Sequence, residues 1–426
     1  MSHRSQSQAP SRRRDHQRAK LAHSNLASLL TQILLLAPSL VLSLIGLVSL
    51  STRQYALWAL VFSLGSAAII VDGGASTLAQ VYRAEGVVSS RELLRLFGLA
   101  SLAPCGLTLV MLGLWGPIQN LAAGPPAMSE LWFPLVLGLG TTVRSWQNVA
   151  NGVAMASEAR RTRLSVAALA VVVQVTMLGV FAPRISLLDL AIVYSIGATI
   201  GVIGLTPVLI RSLGRPPARG HDALLTRGAL AMIGVVVTQG DRVVVGAVSS
   251  AGGLAAYDVA ARLVSTTAVI CLIVSYGLAA EGSRWALKGR VLPIRQVIHR
   301  AQRLVDVISV VMFASLPFAA AAITLYTKPE LAKPAVVATC ILGVGYAVNA
   351  TTAPITNFLS GARILRPETL YLGGVFAITV ICVPPLAIWL GMPGAAAGFS
   401  LAALVPSAWL RIMGQRYAGS PMAPHS

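Results

Sequence analysis

The sequence predicts an all-α integral membrane protein with about twelve transmembrane helices in two pseudo-symmetric six-helix bundles. Composition, the spacing of polar breaks and the placement of basic residues predict it. Of the 426 residues, 55% are hydrophobic and 11% charged, against about 25% charged in soluble domains. Fourteen acidic and 33 basic residues cannot coat a water-soluble chain of this length, so lipid must solvate most of the surface.

Crossing the hydrocarbon core takes about 20 apolar residues. Splitting the chain at its polar breaks gives twelve such segments, near 25–50, 55–82, 96–115, 131–156, 164–183, 187–210, 228–249, 254–280, 304–326, 335–360, 369–390 and 394–410. Residues 1–24 are polar and basic, with Arg12, Arg13 and Arg14 in a row. The apolar stretch after them exceeds a signal-peptide core of about 7–15 residues, so it reads as a retained first span. The expected organisation is a basic cytoplasmic tail (1–24), an N-terminal bundle (25–210), a cytoplasmic linker (211–227), a C-terminal bundle (228–410) and a second tail (411–426).

Basic residues accumulate on the cytoplasmic side of membrane proteins. With the N-terminus inside, 26 of the 33 Lys and Arg residues fall in cytoplasmic segments and four in outer loops: Arg53, Arg184, Lys328 and Lys333. Arg144, Arg242 and Arg262 lie within spans. The net charge of +19 therefore reads as topology, and no nucleic-acid partner is expected. The expected location is a bacterial inner membrane, with multiple passes and both termini cytoplasmic.

Several chemistries are excluded. Cys105, Cys271, Cys340 and Cys382 are scattered through apolar runs, and the six histidines lie in tails or polar loops. Neither pattern is a disulfide framework or a metal site. No P-loop motif is present, so no cofactor is expected, and energy must come from a gradient or a partner. The first outer loop, Ser51-Thr52-Arg53-Gln54, lacks the acidic residues usual in lipid-sugar glycosyltransferases. The longest outer loop, about Gly116 to Glu130, is too short for a polysaccharide polymerase or ligase. The reading is a transporter, not an enzyme.

Transporters often carry internal repeats. Gly46-Leu47-Val48-Ser49, ending span 1, recurs as Gly246-Ala247-Val248-Ser249 at the end of span 7. Tyr55 opens span 2 as Tyr257 opens span 8, and Ser157-Glu158-Ala159-Arg160 after span 4 recurs as Ser360-Gly361-Ala362-Arg363 after span 10. The offsets of 200, 202 and 203 residues are nearly constant, which implies two like-oriented halves around a central cavity. Six-plus-six halves also describe major-facilitator transporters, but Arg83 to Arg91 lacks their loop 2–3 motif.

The stretch Asp241-Arg242-Val243-Val244-Val245-Gly246, followed by Tyr257-Asp258-Val259-Ala260-Ala261-Arg262-Leu263, resembles the D-R-x-x-x-G … Y-x-x-A-x-R-L signature of Wzx-type polysaccharide flippases. These belong to the multidrug/oligosaccharidyl-lipid/polysaccharide exporter (MOP) superfamily, which includes the multidrug (MATE) transporters. Tyr55-Ala56-Leu57-Trp58 leading to Val71-Asp72-Gly73-Gly74 is similar to the first-half segment of that family, with Ala56 and Gly73 as departures. The resemblance implies alternating access and export of a polyprenyl-pyrophosphate-linked oligosaccharide for the cell envelope, from inner to outer leaflet. Glycosyltransferases or a polymerase of the same pathway are the implied partners.

An intramembrane charge costs about 2.5–3.5 kcal/mol on the lenient insertion scale, so the charges inside the spans need partners or water. Asp258 and Arg262 share a helical face at i,i+4, and Asp241 and Arg242 reach a similar depth on the neighbouring span. A structural clamp on the span 7–8 hairpin is one reading of these four, and substrate contact by Arg262 is the other. Arg144 has no acidic neighbour in its helix and is followed by Trp146, Gln147, Asn148 and Asn151. A guanidinium offers a pyrophosphate bidentate hydrogen bonds, and amides and an indole suit sugars. The alternative is an ion pair between Arg144 and Asp72. Asp72 itself reads as a proton- or sodium-coupling site or as a structural partner beside the Gly73-Gly74 kink. In span 10, Asn349 and Asn357 flank Pro354 and read as cavity-lining or interhelical groups. Loop 8–9 interleaves Trp285, Leu287 and Leu292 with Arg284, Lys288 and Arg290, an interfacial segment suited to anionic lipids. Two rivals stay open: an antiporter of the same superfamily for drugs or other small molecules, and a non-transporting scaffold for glycan enzymes.

Overall fold

The computed structural model describes residues 30–31, 34, 40–70, 75–84, 88–121, 131–181, 184–214, 240–275, 294–361 and 365–419. They are almost wholly helical. The N-terminal half comprises α1 (Leu40–Ser49), α2 (Thr52–Ile70), α3 (Ala75–Ala84), α4 (Ser90–Gly113), α5 (Trp115–Leu121), α6 (Trp132–Ala156), α7 (Arg160–Phe181) and α8 (Leu187–Arg211). The C-terminal half comprises α9 (240–248), α10 (Ala251–Val274), α11 (Ile294–Thr327), a 3-10 turn at Pro329–Leu331, α12 (Ala332–Ala350), α13 (Ala353–Gly361), α14 (Leu365–Leu390) and α15 (Met392–Gly419).

Each of the twelve predicted segments carries helix in its described part. Among the described residues, eight helices are long and apolar enough to cross a membrane: α4, α7, α8, α10, α11, α12 with its preceding turn, α14 and α15. α6 is not among these, because Arg144 to Asn151 lower its hydropathy. Residues 1–24, most of the linker, the Trp285–Leu292 part of loop 8–9, and Asp72 with Gly73 and Gly74 lie outside the described residues.

The polarity of the surface is that of a lipid-facing protein. Trp389 is 82% exposed and Phe318 77%, exposures that water would penalise. On α4 the exposed Leu94, Leu102 and Leu109 form one stripe at helical spacing, while Leu96, Ala100, Pro104 and Thr108 face inward. The inward face of α4 includes the small Ala100 and the polar Thr108, residue types that let helices approach and hydrogen-bond within lipid.

Helix ends follow local chemistry. Ser89 and Glu92 form a capping box on α4, and Ser186 and Asp189 another on α8, each satisfying two orphan amides. Span 10 breaks at Thr351-Thr352, just before Pro354 in the first turn of α13, since Pro354 has no N–H to donate to the Ala350 carbonyl one turn back. The Thr351 and Thr352 hydroxyls bond the carbonyls of Val348 and Asn349 at 2.7 Å each.

Neighbour pairs recur in the two halves. α6 packs on α8 as α12 packs on α15, α7 on α8 as α14 on α15, and α4 on α6 as α11 on α12. The α12–α15 approach is close: a Cβ on Gly345 would run into the Ser400 carbonyl, and the Gly345 amide donates to Ser400 Oγ at 3.0 Å. Between the halves, α2 packs against α10.

Candidate functional site

The charges predicted within spans 7 and 8 converge. The hairpin turn at Ser249-Ser250 brings α9 beside α10, and two pairs of adjacent residues, Asp241-Arg242 and Tyr257-Asp258, meet there. Arg242 bonds Asp241 through Nη1 at 2.7 Å and reaches Asp258 Oδ1 through Nε at 3.5 Å. Arg262 Nε bonds Asp258 Oδ2 at 2.6 Å, the predicted i,i+4 pair. All are buried or nearly so: the side chains are 7% (Arg242), 3% (Asp241), 0% (Asp258) and 13% (Arg262) exposed. Two carboxylates and two guanidiniums cancel, as buried charges must to offset their desolvation.

Two tyrosines complete the cluster. The Tyr257 hydroxyl donates to Asp241 Oδ2 at 3.1 Å. Its repeat-mate Tyr55, on α2 in the other half, donates to Asp258 Oδ2 at 2.9 Å. Asp258 thus belongs to both halves at once. Both tyrosines stand in the sequence as anchors of the internal repeat, though nothing there marks them as partners of the acids.

Arg262 reaches the other half as well. Its Cζ lies 5.0 Å from the centre of the Phe62 ring on α2, a cation–π distance. Phe62 in turn stacks on Trp58 at 4.9 Å and meets Tyr194 of α8 edge-on at 5.3 Å. Tyr194 is close enough to Arg144 to interact with it electrostatically. One aromatic pair is thus tied to both arginines singled out in the sequence: Phe62 contacts Arg262, and Tyr194 interacts electrostatically with Arg144. Phe62 and Tyr194 carry no motif that distinguishes them from core aromatics.

The polar run of α6 divides. Arg144, Asn148 and Asn151 share one partly buried face at i, i+4 and i+7. Trp146 turns away from it: the indole donates to Ser101 Oγ on α4 at 2.7 Å and packs edge-on against Phe97. Gln147 is buried, but its carbonyl accepts from Arg144 Nη1 at 2.6 Å. It fits because position 201 on α8 is glycine; a Cβ there would collide with the Gln147 amide. Sequence reasoning grouped Trp146 and Gln147 with the amides as one sugar-facing set. In the structure Trp146 bonds Ser101 of α4, since residues two apart on a helix point to different faces, while Gln147 bonds Arg144, its neighbour at i,i+3.

In the C-terminal half, Asn357 donates to the Leu272 carbonyl at 3.2 Å and to Ser275 Oγ at 2.8 Å, tying α13 to the end of α10. Asn349 is partly buried near the end of α12, and its backbone carbonyl accepts from the Thr352 hydroxyl at 2.7 Å. For Asn357 the described contacts are interhelical. Asp72, and with it the alternative ion pair to Arg144, lies outside the described residues. Among the described residues no cluster of three or more His, Cys, Asp or Glu side chains is arranged to hold a metal.

No protein-family model and no curated protein matches the sequence. Solved structures do. An inward-facing multidrug-resistance MATE transporter of the MOP superfamily superposes with a TM-score of 0.70 at 13% identity, covering 92% of this chain and 98% of the other. A MOP-superfamily transporter from Pyrococcus furiosus, described as having a binding pocket of reverse polarity, gives 0.66 at 12% identity over 93% and 94%. The lipid II flippase MurJ in an inward closed conformation gives 0.65 at 12% identity over 92% and 87%. Nearly the whole of each chain is shared at an identity that speaks for fold alone: the chain is folded as MOP-superfamily transporters are.

Proposed function

We propose that this protein is a membrane flippase that moves a polyprenyl-pyrophosphate-linked oligosaccharide from the inner to the outer leaflet by alternating access between its halves. The observation that supports the reading is that Arg144 and Arg262, one from each half, are both linked to the Phe62–Tyr194 pair. Guanidiniums stay protonated, offer forked donors to phosphate oxygens, and are more weakly hydrated than ammonium groups. Two of them on separate bodies suit a diphosphate that both halves must grip in turn. Asn148 and Asn151, on the face of Arg144, supply amides for sugar hydroxyls, while the prenyl chain stays in lipid. MurJ, which shares the fold, is a lipid II flippase, and the Pyrococcus furiosus protein is described as having a reverse-polarity pocket that suggests a different function.

On this reading the chain does no covalent chemistry. The positive-inside distribution supports cytoplasmic termini in a bacterial inner membrane. Asp72 is the proposed coupling site for a proton or sodium ion, and the basic loop 8–9 is the proposed contact with anionic lipids and with a glycosyltransferase or polymerase of the pathway.

The test is depletion of the protein, with lipid-linked oligosaccharide measured on each leaflet and rescue by wild type or Arg144→Ala. Inner-leaflet accumulation relieved by wild type alone is the expected result. Normal crossing after depletion, with no second flippase present, sinks the reading in favour of an antiporter. Full rescue by Arg144→Ala favours a scaffold.

A further inference from the structure

Among the described residues, α2 of one half packs on α10 of the other beside the buried charge cluster, and side chains of α2 reach Asp258 and Arg262. From the N-terminal half, Tyr55 donates to Asp258 at 2.9 Å and Phe62 lies under the Arg262 guanidinium at 5.0 Å. Nearer the helix ends, Thr52 Oγ1 donates to Glu330 at 3.3 Å. Tyr55 and Phe62 lie seven residues apart on one face of α2, and Asp258 and Arg262 are four apart on one face of α10. Helix faces two turns long are thus joined by one carboxylate and one guanidinium.

The pair is held but not saturated. A guanidinium has five N–H donors. Arg262 uses Nε on Asp258, while its buried Nη2 has no hydrogen-bond partner among the described residues. Asp258, by contrast, has alternatives: Arg242 at 3.5 Å and the Tyr55 hydroxyl remain if Arg262 leaves. An anion with more charge and more acceptor oxygens than a carboxylate can therefore take Arg262 without stranding Asp258. The same movement strips the cation from Phe62.

We propose that Asp258 and Arg262 form a latch between the two halves, released when a diphosphate group draws Arg262 away from Asp258 and Phe62. This inference rests on the diphosphate reading of the substrate given above, and it adds how binding is transmitted to the halves: the ligand's phosphate replaces the bond that keeps this end shut. On the proposed topology this end faces outward, so release opens the exit.

The experiment uses the full chain in detergent, its four cysteines replaced by alanine, with spin labels on Arg184→Cys and Lys333→Cys. These positions are exposed, outside the cluster, and on opposite halves near the latched end. Electron–electron resonance distances are recorded with and without millimolar inorganic pyrophosphate, and with sulfate at equal ionic strength as control. The expected result is a single shorter distance that shifts toward a longer population with pyrophosphate and not with sulfate. In Tyr55→Phe/Phe62→Leu, which leaves all four charges in place, the longer population should rise roughly tenfold without any anion, the scale of losing one hydrogen bond to a charged group. Arg262→Lys, which keeps the charge and loses the fork, should blunt the pyrophosphate response. An unchanged distribution in the folded double variant overturns the latch. A shift in the double variant with no response of wild type to pyrophosphate overturns release by diphosphate. Neither outcome depends on the leaflet assay: a pyrophosphate response with normal lipid crossing removes the flippase reading and leaves the latch, and the opposite combination does the reverse.

Discussion

At Asp258 one buried carboxylate serves three donors, and the cost of removing each differs in kind. Asp258→Asn leaves two guanidiniums facing one carboxylate, an uncompensated buried charge of the sort that costs about 3–5 kcal/mol. Tyr55→Phe deletes a neutral donor to a charged acceptor, worth about 1.5–3 kcal/mol. Thermal unfolding in detergent should therefore rank Asp258→Asn below Tyr55→Phe and both below wild type; equal melting temperatures would contradict the buried geometry. Glu158 is a separate case. It holds a φ of 54° in the turn between α6 and α7, which strains any side-chain-bearing residue, and its repeat-mate is Gly361. Relief of a left-handed strain of about 1–2 kcal/mol, less the backbone entropy glycine loses on folding, should make Glu158→Gly mildly stabilising, read as a higher unfolding temperature. The pairing of Asp258 with Arg262 was legible in sequence because i,i+4 is a local relation. The bond from Tyr55 was not, since 203 residues separate the partners and no local rule spans that distance.

Among the helices, α6 concentrates the contradictions of a membrane segment. Its first half is apolar, whereas within the polar run from Arg144 to Asn151, Trp146 finds a partner on α4 and Gln147 a slot against α8. Gly201 is the clearest of these accommodations. Gly201→Leu should push Gln147 out of its slot and loosen its 2.6 Å bond to Arg144, with an overpacking cost of about 1–3 kcal/mol. Transport should fall further than stability alone accounts for, and the Gln147→Ala/Gly201→Leu double variant, which makes room for the leucine, should recover stability but not transport. Equal recovery of both would show that Gln147 does not position Arg144. Helix existence along the chain was readable from apolar length and punctuation. The direction of Trp146 was not, because a run of polar residues on a helix always splits among faces, and only the neighbours decide which face is the cavity. The break at Thr351-Thr352 was foreseeable in outline from Pro354, while the α13–α10 tie through Asn357 required knowing which helix lies opposite.

For the whole molecule, fold class followed from composition and from the near-constant repeat offset, and superposition on MOP-superfamily structures agrees with it. Orientation in the membrane rests on charge distribution and has its own test. Single cysteines at Arg161 and Lys333, on exposed positions at opposite ends, should react with a membrane-impermeant thiol reagent from the inside and the outside respectively. Reversed labelling would invert the direction of export. The neutrality of the α9–α10 cluster also bears on what can energise the protein. A membrane potential of 100 mV does about 2.3 kcal/mol of work on each elementary charge carried across it. If Asp241, Arg242, Asp258 and Arg262 shift together as one body, their signs cancel and the field does no net work on that motion. Voltage then acts on the transport cycle through charges outside this cluster, namely Arg144, the cargo and any ion taken up at Asp72, so the electrical signature should report those and not the α9–α10 cluster.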